Sequence, residues 1–124
     1  MKLRKIEVSS HDRSNGRPVL TVSKSGKFSI SPAMREKIGY KKGLKINFFQ
    51  DEEVPKNWYI TLDESEGVNI REAMAGKYLA TFIQKATLAD TVRRAFGTEE
   101  AMLFSIGAAT ELSGINYWPL LYNK

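Results

Sequence analysis

Residues 26–43, GKFSISPAMREKIGYKKG, decide the fold of this chain. In Phe28-Ser29-Ile30-Ser31 apolar and polar side chains alternate, as a half-buried strand requires, because successive strand residues face opposite sides. A helix follows at once. Ser31 can accept a hydrogen bond from a free amide of the first turn, and Pro32 at the first helical position loses no useful donor. Met34 and Ile38 share one helical face, and Gly39 stops the helix by taking a left-handed conformation that a Cβ would strain. Gly43 then turns the chain into the strand Leu44-Lys45-Ile46-Asn47-Phe48.

Working outward, Ser25-Gly26 predicts a tight hairpin between Val19–Ser23 and Phe28–Ser31, with glycine supplying the positive φ. A further hairpin is expected between Lys5–Val8 and Val19–Val22, with Asn15-Gly16 in its basic tip. Leu44–Gln50 and Trp58–Leu62 form the next strand pair. Residues 63–77 read as an acidic turn followed by a linker or brief helix. Beyond it stand a strand at Tyr78–Ile83 and a helix at 88–96, capped by Thr87 with Asp90 as its partner and ended by Gly97. Met102–Ile106 and Tyr117–Tyr122 close the chain as strands, and Pro119, which has no N–H to donate, places the last one at an edge or bends it.

The two halves share a rhythm. With a shift of 58, Arg35 falls on Arg93, Ile38 on Phe96, Gly39 on Gly97, Lys45 on Leu103 and Phe48 on Ile106, and Trp58 and Trp118 lie near equivalent ends. A strand-helix-strand-strand unit is too small to bury its own apolar face and must pair with another. The expected fold is therefore α+β and mostly β. It is a small β-barrel built from two strand-helix-strand-strand units, with short helices at 32–38 and 88–96, in one domain over 1–124 with half-units 1–62 and 78–122.

At 124 residues, 42% hydrophobic and 27% charged, the composition suits one folded core, and no apolar run approaches the ~20 residues of a membrane span. Together with the missing secretory leader, this leads to the expectation of a cytoplasmic protein without a membrane partner. Charge is divided unequally. Residues 1–45 hold twelve Lys or Arg against three acidic residues, whereas residues 46–124 hold seven against eleven, within a net charge of +5. A local excess of cations suits phosphates, each neutralised phosphate releasing counterions. A lysine-rich solvated face is the bland alternative.

Catalytic chemistry finds little support. There is no cysteine, and His11 is the single histidine, so neither a thiolate nor a histidine-rich metal site can form. The acidic runs Asp51-Glu52-Glu53 and Asp63-Glu64-Ser65-Glu66 lack the glycine-containing calcium-loop pattern, and no phosphate-binding glycine loop is present. No enzyme activity, metal or cofactor is expected.

The succession Gly26-Lys27-Phe28-Ser29-Ile30, Pro32, Arg35, Ile38-Gly39 and Lys42-Gly43-Leu44-Lys45-Ile46 resembles the swapped-hairpin DNA-binding domain of AbrB-like transition regulators and antitoxins, over residues 19–62. The resemblance implies two interleaved units in one β-barrel, from two chains or, as in MraZ-like relatives, from tandem units of one chain. The second half departs from it, with Asp90 at the proline position and Ala101 in place of Gly43. It further implies that the first helix and adjoining loops face DNA.

Arg35 is the leading candidate contact, because its fork can bind a phosphate or two guanine acceptors, whereas Lys27, Lys37, Lys41, Lys42 and Lys45 act as point charges. Arg13 and Arg17, flanking Asn15-Gly16, are candidates for an arm along the backbone. Duplex DNA is the expected partner. Single-stranded binding by Phe48, Phe49, Trp58, Tyr59, Tyr117, Trp118 and Tyr122 is the second reading, although one member of each neighbouring pair must point inward. A non-catalytic assembly protein, with a homodimer through the second half, is the third.

Overall fold

The computed structural model describes residues 17–123. The hairpin expected from Lys5–Val8, with His11 and Arg13 near its tip, lies outside them. Twelve elements follow in order: β1 (Val19–Val22), β2 (Lys27–Ile30), α1 (Pro32–Ile38), β3 (Lys45–Gln50), β4 (Trp58–Asp63), β5 (Val68–Asn69), β6 (Arg71–Ala75), β7 (Tyr78–Gln84), α2 (Ala86–Phe96), β8 (Met102–Ile106), β9 (Thr110–Leu112) and β10 (Ile115–Asn123). The fold is α+β and mostly β, a nearly closed antiparallel barrel with two short helices.

Strands run in the order β5-β3-β4-β10-β8-β1-β2-β7-β6, with β9 attached to β10. The halves therefore interleave. The β1–β2 hairpin lies between β8 and β7, both from the second half, while β4 pairs with β10. Residues 68–75, expected as linker or helix, instead run extended: β5 pairs with β3 and β6 pairs with β7, so this one segment bridges the two ends of the sheet. The polar, helix-compatible sequence Arg71-Glu72-Ala73-Met74 becomes strand because the β7 ladder claims its backbone donors and acceptors.

The pairing supports a pseudo-twofold relation. Trp118 faces Ile60 and Leu120 faces Trp58, so the two tryptophans occupy mirrored places in the β4–β10 pair. Ile46 faces Val68 as Phe104, 58 residues on, faces Leu20. Inward-facing residues from both halves meet in one core that includes Leu20, Phe28, Met34, Ile46, Ile60, Ile83, Val92 and Phe104. The alternation expected of the strands is seen directly, with Phe28 and Ile30 buried and Ser29 exposed between them. Among the described residues, Trp58 Nε1 is a buried donor without a partner, a desolvation cost of about 1–3 kcal/mol.

Both helices carry the stops expected of them. Gly39 (φ 72°, ψ 35°) and Gly97 (φ 69°, ψ 34°) are left-handed, and in each case the two amides after the helix bond back to its last turn. Ser31 caps α1 by accepting from Met34 N at 3.1 Å, and it also ties in β1 by accepting from Val19 N. The start of α2 differs from expectation. It begins at Ala86, after Lys85, with no side-chain cap, and Thr87 is inside the helix. Here the amide of Lys85 bonds to Gly26 O at 3.0 Å, so docking of the β1–β2 turn takes the place of a local cap.

Pro119 also departs from expectation, since β10 is central and pairs with both β4 and β8. The proline is accommodated at the end of the β8 ladder, where Gly107 N donates to Pro119 O. A Cβ on Gly107 would lie 2.7 Å from Pro119 Cγ, so the missing side chain makes room for the ring. No helix among the described residues is long and apolar enough to cross a membrane.

Candidate nucleic-acid interface

Helix α1 ends in a bend that gathers the cations expected of the site. After Gly39 the chain runs Tyr40-Lys41-Lys42-Gly43, closed by Leu44 N donating to Lys41 O and by Gly43 at φ 97°. Lys41 and Lys42 are exposed, as is Lys37 on the last turn of α1. None of the three joins an ion pair with a carboxylate among the described residues.

Arg35 has a structural task that the sequence does not announce. It is half-buried, and its Nη1 donates to Leu79 O at 2.8 Å, holding the β6–β7 hairpin against α1. Arg93, its counterpart at a shift of 58, donates from Nη1 to Ser23 O at 2.8 Å and from Nη2 to Lys24 O and Asp90 Oδ1. Each arginine thus clasps the hairpin of the other half. Arg35 also borders a cleft of about 380 Å³ together with Glu36, Tyr40, Lys42, Glu72 and Leu79.

The other predicted cations are dispersed. Lys45 is half-buried, donates to Ser65 O at 3.1 Å and faces Asp63 across the β3–β4 ladder, so it serves the acidic turn 63–67 and leaves the α1 end. In that turn Asp63 accepts from the amides of Ser65 and Glu66, and these bonds, with the Ser65 hydroxyl, hold its carboxyl below the usual value. Lys27 lies on the outer face of β2, its Nζ 4.5 Å from the centre of the Phe82 ring. Arg17 is exposed at the entry to β1, and its carbonyl accepts from Ser31 Oγ.

Two neighbours of Lys27 escaped the sequence reading. Phe82 faces Ser29 on one side and Arg71 on the other, so Lys27, Phe82 and Arg71 share the outward face of β2–β7–β6. Only the register reveals it, because the three residues lie on three strands. Among the aromatic residues Trp58 is buried, while Phe48, Trp118 and Tyr122 pack against the core. Phe49 and Tyr117 face outward and meet edge-on at 5.4 Å.

Tyr40 links the α1 end to β6 by donating to Glu72 Oε2 at 3.0 Å. Burial, then the hydrogen bond and repulsion from Glu72, push its pKa up to about 12, with Arg35 opposing. The folded state therefore holds the phenol proton more tightly than the unfolded chain does. Its stabilising contribution is complete below the unfolded pKa near 10 and is lost as pH rises through about 12. Tyr40→Phe is expected to remove this slope from stability measured between pH 9 and 12, together with one late-titrating tyrosine in an ultraviolet titration. A parent slope that survives the substitution would show that another group is responsible.

Among the described residues no cluster of three or more His, Cys, Asp or Glu could hold a metal ion. No protein-family model matches the chain, and neither curated proteins nor solved structures provide a match.

Proposed function

We propose that this chain is a non-catalytic, cytoplasmic nucleic-acid-binding protein of the AbrB-like regulator or antitoxin type, which engages duplex DNA through the end of α1. The observation that carries the reading is the exposed trio Lys37, Lys41 and Lys42, without a carboxylate partner among the described residues and set on the last turn of α1 and the following bend, whose geometry two glycines fix. Ammonium groups on a rigid bend can follow a phosphate backbone without the entropic cost of ordering a loop. Arg35 borders the same cleft as Lys42 and adds its charge to this end.

Three phosphate contacts give an expected slope of about −3 for log K against log salt. Anisotropy with a duplex of about 20 base pairs, between roughly 50 and 200 mM salt, measures it. Lys41→Ala/Lys42→Ala is expected to flatten the slope by about 2 and weaken binding about tenfold or more at the low-salt end. Absence of affinity at low salt in the parent protein would end the proposal.

A single-stranded ligand is the second reading, favoured by Phe82 between Lys27 and Arg71 on an outward sheet face, where a base could stack beside its phosphates. Competition between duplex, single-stranded DNA and RNA separates the two. A homodimer through the second half is the third, favoured by exposed Leu112, Ile115 and Leu121 and by the apolar cleft between Phe49, Tyr59 and Tyr117. Sedimentation without nucleic acid tests it.

A further inference from the structure

The two helix ends are built alike and charged oppositely. Gly39 and Gly97 make the same left-handed stop, with the same pair of backbone bonds to the preceding turn. Seven residues later the chain reaches Ile46 in one case and Phe104 in the other, both buried and both paired in register with a strand of the other hairpin type. The bends between occupy equivalent places, although their backbones differ: Leu44 N bonds to Lys41 O with Gly43 at φ 97° in one, and Glu100 N bonds to Thr98 Oγ1 in the other. One reads Tyr40-Lys41-Lys42-Gly43 and the other Thr98-Glu99-Glu100-Ala101. Lys41 and Lys42 correspond to Glu99 and Glu100, and all four are exposed.

The groups around each bend accentuate the contrast. At the α1 end Arg35, Lys37, Lys41 and Lys42 stand against Glu36 and Glu72. At the α2 end Glu99, Glu100 and Asp90 face Lys24, Arg93 and Arg94, and two of these cations are already spent, Lys24 on Glu100 at 2.8 Å and Arg93 on Asp90 at 2.8 Å. A phosphate approaching the first end finds three lysines without acidic partners among the described residues. At the second it meets carboxylates.

Resting on the functional proposal above, we infer that nucleic acid docks on only one of the two pseudo-equivalent ends, so that one chain covers a single, one-sided and therefore non-palindromic stretch. A barrel with matched ends would place two contacts about its pseudo-dyad and favour a symmetric site. Here the fold retains the symmetry of the frame, and the side chains cancel it. Charge at the two bends selects the docking end.

The test uses the full chain and a duplex of about 12 base pairs, long enough for one end only. Wild type is expected to bind one duplex per chain by titration calorimetry. Lys41→Glu/Lys42→Glu is expected to lose at least tenfold in affinity, and Glu99→Lys/Glu100→Lys to bind a second duplex with a steeper salt dependence. Circular dichroism melts check that each variant is folded, and Glu99→Gln/Glu100→Gln, which adds no new cation, is expected to keep one duplex per chain. Two duplexes on wild type, or none gained by the lysine variant, overturns one-sided docking while leaving nucleic-acid binding intact. No duplex bound by any folded form overturns the functional proposal itself.

Discussion

Gly26→Ala is expected to destabilise the protein by about 2–5 kcal/mol, combining a left-handed backbone penalty of about 1–2 with overpacking of about 1–3. Gly26 sits at φ 92° in the β1–β2 turn, and its amide closes that turn on Ser23 O. A Cβ there would lie 2.6 Å from Ala86 Cα and 3.0 Å from Ala86 N, which are backbone atoms of the first residue of α2. Backbone cannot swing aside as a side chain can. The same contact carries the bond from Lys85 N to Gly26 O that stands in for a helix cap, so moving the turn away also breaks that bond. Gly39→Ala is the control. It has the same sign of φ but nothing within 4 Å of an added Cβ, so only the backbone penalty remains. Urea midpoints at unchanged slope measure both, and equal losses would show that the close approach to α2 costs nothing.

This contact also marks the limit of what the sequence discloses. Helix α1 was legible to the residue because its start and stop are local: Ser31, Pro32 and Gly39 supply cap, first turn and left-handed end within the element itself. The start of α2 was not, because the group that fixes it is the carbonyl of Gly26, some 60 residues earlier. Pro119 misled for the same reason. Its place in a central strand depends on Gly107 being small directly across the ladder. The segment 68–75 carries no strand pattern of its own and is extended because β3 and β7 lie on either side of the gap it fills. At the site, exposure of Lys37, Lys41 and Lys42 follows from the bend their neighbours encode. Arg35, by contrast, was read as a ligand-facing side chain and is held by Leu79 O, a partner 44 residues away that no local pattern indicates.

Arg93→Ala is expected to cost about 2–3 kcal/mol, against about 1 kcal/mol or less for Arg35→Ala at the pseudo-equivalent place. Both arginines leave a helix one turn before its glycine stop and reach a carbonyl of the opposing hairpin. Their surroundings decide the difference. Arg93 is 8% exposed and satisfies Ser23 O, Lys24 O and Asp90 together, so truncation strands a part-buried carbonyl and opens space between α2 and the turn. Half-buried Arg35 makes one hydrogen bond, to Leu79 O, and that bond is open to solvent, where water can replace it. Lysine at position 93 should recover only part of the loss, since one ammonium cannot span three acceptors held in a fixed fork. Because Gly26 and Arg93 secure the same turn to the same helix, Gly26→Ala/Arg93→Ala should cost less than the two single losses combined. Strict additivity would show that the turn has two independent attachments. Arg35→Ala, stable but weakened toward DNA, would in turn distinguish a cation that supports the docking end from one that merely fastens a hairpin.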